Sequence, residues 1–151
     1  MKDVCTTCSA FDKSDKKSEE MKLKQENHRK EINTIRKYRD DTKKDTETDK
    51  TIAAAAFDLE EVLPLPKTNE GDIYYSRQLN NHNLSVYGYH DKTGHNCLWN
   101  ETTAKRGSNE IASCVMTYLD NLNNKGSFKT VRLLSDSCGG QNRNRQFMAM
   151  L

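Results

Sequence analysis

The sequence predicts a mixed α/β fold in which a long charged helix precedes a domain built on a mixed sheet, and three observations predict it. An apolar run from Ile52 to Phe57 is followed by an acid; its four alanines also suit a helix, but the β-favouring surroundings indicate a buried strand. Apolar residues recur at helical spacing from Ile111 to Leu122. A second apolar run, Val131 to Leu134, again stops just before an acid, Asp136. A strand, a crossover helix and a second strand in this order favour a parallel pair.

The composition is polar, and the polar residues concentrate in the first third of the chain. Of the 151 residues, 34% are apolar and 30% are charged. Residues 1–50 hold 14 Lys/Arg and 12 Asp/Glu, whereas residues 51–151 hold 10 of each. The net charge of +2 is too small to predict nucleic-acid binding by itself. No signal peptide and no apolar run near the ~20 residues of a membrane span is present. We therefore expect an intracellular protein, with the nucleus as one option.

Residues 1–50 are predicted to form a separate N-terminal region. Cys5 and Cys8 form a CxxC pair, whose two thiolates can point at one Zn²⁺, and His28 is the nearest third ligand. The alternative is a pair of unliganded cysteines. Residues 16–44 contain no Gly or Pro, which favours one long solvated helix that could dock on the domain, self-associate or lie along nucleic acid. Residues 40–50 are interpreted as a linker.

Residues 51–151 are predicted to form the second domain, an incomplete core with a mixed sheet. The order is a strand ending in Asp58, further antiparallel strands, a helix carrying Glu110, a strand leading to Asp136 and a helix. This order is the opening half of the ribonuclease-H-like fold, in which the first and fourth strands lie side by side. The runs that we interpret as strands are 52–57, 73–75, 84–89, 95–99 and 131–134.

The acids at the strand ends are the candidate catalytic residues. Two-metal phosphodiester chemistry requires carboxylates that hold two Mg²⁺ or Mn²⁺ ions roughly 4 Å apart. Asp58 and Asp136 are the predicted ligands, and Glu110, in the first turn of the crossover helix, is the candidate third acid. Each of the three has an alternative role as a cap of a strand end, a turn or a helix N-terminus.

Polar and cationic side chains lie near these acids in the sequence. They are candidate contacts to the phosphates or base edges of DNA, the predicted partner. These residues are Arg106, Gln141, Asn142, Arg143 and Arg145.

Four stretches of the chain resemble a transposon-derived eukaryotic family of unknown function whose core is predicted to be ribonuclease-H-like and of the DDE transposase type. The stretches are FDLEEVLPLP, YYSRQLNNHNLSVYGYHD, LWNETTAKRGSNEIASC and LLSDSCGGQNRNRQ. The resemblance implies Asp58 and Asp136 as metal ligands, and Cys5, Cys8 and His28 as a zinc element before the core. Because the chain ends at Leu151, before the later acid of such a core, we expect it to be inactive alone. The alternative is a non-catalytic module that binds nucleic acid or protein and has a zinc-stabilised N-terminus.

Overall fold

A computed structural model describes residues 5–126, 128–136 and 138–151, except the side chains of residues 73 and 74. The chain forms two compact units, Met1–Thr42 and Lys43–Leu151. The domains predicted from the sequence are residues 1–50 and 51–151. Ser137, which belongs to the predicted turn after Asp136, lies outside the described residues. The helices are α1 Thr6–Lys13, α2 Glu19–Thr48, α3 Gly71–Tyr74, α4 Ser108–Lys125 and α5 Arg145–Met150. The strands are β1 Ile52–Leu59, β2 Leu63–Leu65, β3 Leu79–Gly88, β4 Gly94–Asn100 and β5 Thr130–Leu134.

The described strands form one mixed sheet, so the predicted mixed α/β class with an N-terminal helix is confirmed. β1 pairs antiparallel with β3 and parallel with β5, as expected for the first and last of the predicted strands. β2 is also antiparallel to β3. β1 and β2 pair with one edge of β3. β4 pairs with residues of β3 that also pair with β1 or β2, so β4 lies along the other edge of β3. Pro64 is tolerated because β2 is a short edge strand.

The core lies between one face of the sheet and α4. Alternate residues of β1, namely Ala53, Ala55 and Phe57, are buried against the helix. Alanine favours helices intrinsically, but here its small side chain suits a strand that is hydrogen-bonded on both edges, and tertiary context decides the outcome. The other buried core residues are Leu84, Val86, Ile111, Ala112, Val115, Tyr118, Leu122 and Phe147.

Two predictions about local structure are wrong. Residues 73–75 do not form a strand, because residues 71–74 form the short helix α3. The predicted linker over residues 40–50 is helical as far as Thr48, since α2 continues through it. Contacts within the second unit stabilise this end of α2: Asp45 accepts a 2.6 Å hydrogen bond from Arg132, and Lys43 lies over the ring of Tyr89.

Candidate metal centres

Asp58 and Asp136 occupy equivalent positions at the carboxyl ends of two neighbouring parallel strands. In the parallel pairing of β1 with β5, Ile52 lies opposite Thr130, which is 78 positions later in the chain. Asp58 and Asp136 are separated by the same 78 positions. The register therefore aligns the two aspartates just beyond the last hydrogen-bonded pair. Because side chains alternate along a strand and Phe57 points into the core, Asp58 lies on the face away from α4. We call these two residues the aspartate pair.

The two carboxylates of the aspartate pair are close enough to repel each other. Asp58 still reaches solvent, but partial burial at the strand end raises its pKa, and the negative charge of Asp136 raises this pKa further. An opposing cation would favour the ionised form of both groups. Two neighbouring carboxylates of like charge are therefore a position where a cation would be stabilised.

A buried amide fixes the orientation of Asp136. Asn142, which is only 9% exposed, donates a 2.7 Å hydrogen bond from Nδ2 to Oδ1 of Asp136. The backbone N–H of Cys138 donates to the same oxygen at 3.3 Å. The loop after β5 folds back on itself, because the carbonyl of Cys138 accepts from the N–H groups of Gln141, Asn142 and Arg143. Asn142 is thus engaged with the aspartate pair itself.

A polar row continues from the aspartate pair across the sheet. Asp58 is opposite Ser85 in β3, and Ser85 is opposite Asn96 in β4. Ser85 Oγ donates a 2.9 Å hydrogen bond to Oδ1 of Asn96. Sequence reasoning did not identify Ser85 and Asn96, and the alternation of polar and apolar residues in β3 was the signal available.

Glu110 does not join the aspartate pair. Its carboxylate caps the N-terminus of α4 by accepting from the N–H groups of Lys105 at 3.2 Å and Gly107 at 3.1 Å. In the described ranges, the aspartates and Glu110 do not form a group whose ligand oxygens all lie within 4.8 Å. The capping alternative for Glu110 is therefore the role that these contacts describe.

The predicted nucleic-acid contacts differ in their accessibility. Arg106, Arg143 and Arg145 are exposed, Gln141 is half-buried and Asn142 is buried. Ser108, the first residue of α4, donates a 2.8 Å hydrogen bond to Gln146 of α5. Arg106 and Arg145 stand close to these two residues in sequence and therefore extend from neighbouring backbone.

The first unit contains a group of two thiols and one imidazole, which we call the Cys–His cluster: Cys5, Cys8 and His28. Its ligand atoms all lie within 4.8 Å of one another, and Cys5 Sγ is 3.0 Å from His28 Nε2. Cys5 caps α1, accepting a 3.4 Å hydrogen bond from the N–H of Cys8. This bond, followed by the Cys8 thiol and His28, lowers the pKa of Cys5 to about 7. Thiolate and imidazole are zinc ligands, so the cluster could hold a metal such as zinc.

Comparison of the chain with protein-family models, curated proteins and solved structures found no match. None of the helices in the described part of the chain has the length and apolar character needed to cross a membrane.

Proposed function

We propose that residues 51–151 form a transposase-derived, ribonuclease-H-like domain in which Asp58 and Asp136 bind a divalent cation for cleavage or transfer of DNA strands. The observation that carries this proposal is the common register of the two aspartates on parallel neighbours β1 and β5. Ligands of α/β sheets generally bind at the carboxyl ends of strands. The order of the antiparallel neighbours β1, β3 and β4, then helix α4 and the parallel strand β5, supports this assignment, and the short β2 comes between β1 and β3 in the chain.

The donor set of the aspartate pair fits Mg²⁺ or Mn²⁺. These hard cations prefer oxygen ligands, and Mg²⁺ is commonly held by one or two carboxylates while it keeps several waters. Burial, followed by the negative charge of Asp136, raises the pKa of Asp58, and a cation between the carboxylates would relieve the repulsion. A bound cation supplies Lewis-acid polarisation of a phosphoryl oxygen and a more acidic bound water. Asn142 holds Asp136 in place, and exposed Arg106, Arg143 and Arg145 attract phosphate.

Because Glu110 is a helix cap, two carboxylates are the ligands that we assign to this site. Two-metal catalysis needs more ligands than these. We therefore propose that the 151-residue chain binds the cation and DNA but does not cleave DNA by itself.

The test is calorimetric titration of the protein with Mn²⁺ and Mg²⁺. We expect the wild type to bind, and Asp58→Asn and Asp136→Asn each to weaken binding by at least about tenfold. Asp120→Asn, which removes an exposed acid of α4, is the matched control and should leave binding unchanged. Equal affinities of Asp136→Asn and the control would refute the cation site. In a longer protein that cleaves DNA, Asp136→Asn should abolish the Mg²⁺-dependent reaction.

A second candidate function is a non-catalytic binding or assembly module with a zinc-stabilised N-terminus, and the Cys–His cluster favours it. The long helix α2 also exposes Leu23, Ile35 and Tyr38, whose exposed fractions are 59%, 66% and 55%. We propose that this helix supports self-association or contact with a partner. Under this reading, zinc removal with EDTA changes the oligomeric state or DNA binding, whereas Asp136→Asn changes neither. Analytical ultracentrifugation and a DNA-binding assay distinguish the two functions.

A further inference from the structure

The Cys–His cluster supplies three donors, whereas a structural zinc site is almost always four-coordinate and tetrahedral. Across residues 5–126, 128–136 and 138–151, no fourth Cys, His, Asp or Glu joins Cys5, Cys8 and His28 in the group. Among the described residues, the fourth ligand is therefore another kind of side chain or water. Gln25 is a side chain of this kind that contacts the cluster.

Gln25 is buried against the cluster, and one of its polar atoms has no partner. It lies on α2 three residues before His28, so that both side chains share one face of the helix. Its exposed fraction is 5%, and its Nε2 is 3.4 Å from Cys8 Sγ. Its Oε1 is buried without a hydrogen-bond partner. Hydrogen bonding therefore holds the amide in its present orientation at one end only.

We propose that Gln25 is the fourth ligand of a zinc ion held by Cys5, Cys8 and His28, and that it binds through Oε1. The inference deepens the zinc element of the second candidate function and is independent of the aspartate pair. A half-turn of the amide group exchanges Oε1 and Nε2, which are nearly equivalent in shape. That rotation brings the oxygen to the position 3.4 Å from Cys8 Sγ.

The spacing of the donor atoms suits a shared zinc. Zinc–ligand distances of about 2.3 Å for sulfur and 2.0–2.2 Å for oxygen put two tetrahedral ligands about 3.6 Å apart. The amide atom at 3.4 Å from Cys8 nearly meets this value. The 3.0 Å distance between Cys5 Sγ and His28 Nε2 has to widen to about 3.5 Å, which small side-chain rotations achieve.

The charge also balances. Two thiolates neutralise Zn²⁺, and a neutral imidazole and a neutral amide add no charge. A neutral complex is the form that a largely buried ligand such as Gln25 tolerates best, because an uncompensated charge is costly away from water.

The bound zinc would connect the start of α1 with α2. Cys5 and Cys8 belong to the start of α1, whereas Gln25 and His28 belong to α2. α1 has eight residues and none of its side chains is buried. Isolated helices of this length are unstable in water, so the metal is what holds α1 in place.

The experiment measures Zn²⁺ affinity by competition with a chelating dye. We expect Gln25→Leu to weaken binding by at least about tenfold, and Asn27→Leu, at an exposed position of the same helix, to leave it unchanged. Cys5→Ser and Cys8→Ser should weaken binding still more. If the cysteine variants lose zinc and Gln25→Leu does not, Gln25 is not a ligand. If the cysteine variants bind as the wild type does, the zinc element itself is wrong.

A second measurement needs no variant to fold. The Co²⁺-substituted wild type is titrated with azide, an anion that readily replaces a metal-bound water. We expect the visible Co²⁺ spectrum to be unchanged by azide. An azide-dependent shift in the wild-type spectrum would overturn the assignment of Gln25. The expected loss of α1 on removal of zinc is read from faster trypsin cleavage at Lys13.

Discussion

Replacing Asn142 with leucine should change cation binding much more than it changes stability. The side chain is buried, and its Nδ2 donates to Asp136 at 2.7 Å while its Oδ1 is buried without a partner. Leucine has the same number of side-chain heavy atoms, branched in the same way, but neither polar atom. The substitution therefore removes one favourable contact and one unfavourable group at the same time.

The two contributions to the free energy of unfolding oppose each other. A hydrogen bond to a charged group contributes about 1.5–3 kcal/mol, and an unsatisfied buried acceptor costs about 1–3 kcal/mol. We expect the Asn142→Leu variant to stay within about 1.5 kcal/mol of the wild type. Cation affinity has no such compensation, because Asp136 loses the group that orients it. Loss of an outer partner of a metal ligand typically costs 10–100-fold in affinity, or about 1.4–2.7 kcal/mol.

The assay pairs urea unfolding with Mn²⁺ titration in the same buffer. Asn123→Leu, at an exposed position of α4, is the control and should alter neither quantity appreciably. Mn²⁺ affinity of Asn142→Leu within twofold of the wild type would refute the orienting role of Asn142. A loss of stability above about 3 kcal/mol would contradict the cancellation of the two contributions.

Three further predictions follow from burial. Because the pKa of Asp58 is raised in the folded state, the folded state binds a proton more tightly than the unfolded state does. The stability of the fold therefore falls as pH rises from 3.8, the ordinary pKa of an aspartate, through the folded pKa. Asp58→Asn should flatten this fall in urea midpoints between pH 3 and 7, and an unchanged slope would contradict the assignment. Phe147 is 4% exposed, and its ring is stacked on that of Phe57 at a centroid distance of 5.7 Å. The Phe147→Ala substitution should lower the free energy of unfolding by about 3–5 kcal/mol. Met148→Ala, at an exposed position, is the control, and equal urea midpoints for the two variants would refute the packing. Burial, followed by the neighbouring Cys97, raises the pKa of Cys114 to about 12, so iodoacetamide at pH 8 should label it only in urea; mass spectrometry detects the label, and rapid labelling of the folded protein would be the contrary result.

The aspartate pair could be predicted because its determinants are local. Asp58 directly follows an apolar run, Asp136 follows another after Ser135, and strand order along the chain brings the two runs together. The alanine run was ambiguous between helix and strand, and pairing with both β3 and β5 decided it. The sequence also allows the role of Glu110 as a cap, since an acid in the first helical turn commonly has this role.

Other features depend on contacts that the sequence does not reveal. α2 continues to Thr48 where Asp45 meets Arg132, a residue 87 positions later. Gln25 is one of many polar residues on α2, and only its burial beside Cys8 distinguishes it. Asn142 belongs to a run of polar residues, and only the folding of the loop turns it toward Asp136.

The alanines of β1 leave its alignment with β5 poorly encoded in side-chain shape. Sliding β1 past its neighbour would exchange one methyl group for another from Ala53 to Ala56, with little steric penalty. A slip of one residue would nevertheless send Asp58 to the opposite face of the sheet. The contacts that distinguish one alignment from another lie outside the alanine run: Asp45 of α2 pairs with Arg132 in the middle of β5, and Phe57 stacks on Phe147 of α5. The two carboxylates meet only in the observed alignment, so a one-residue deletion inside the alanine run would separate the aspartates as surely as replacing one of them.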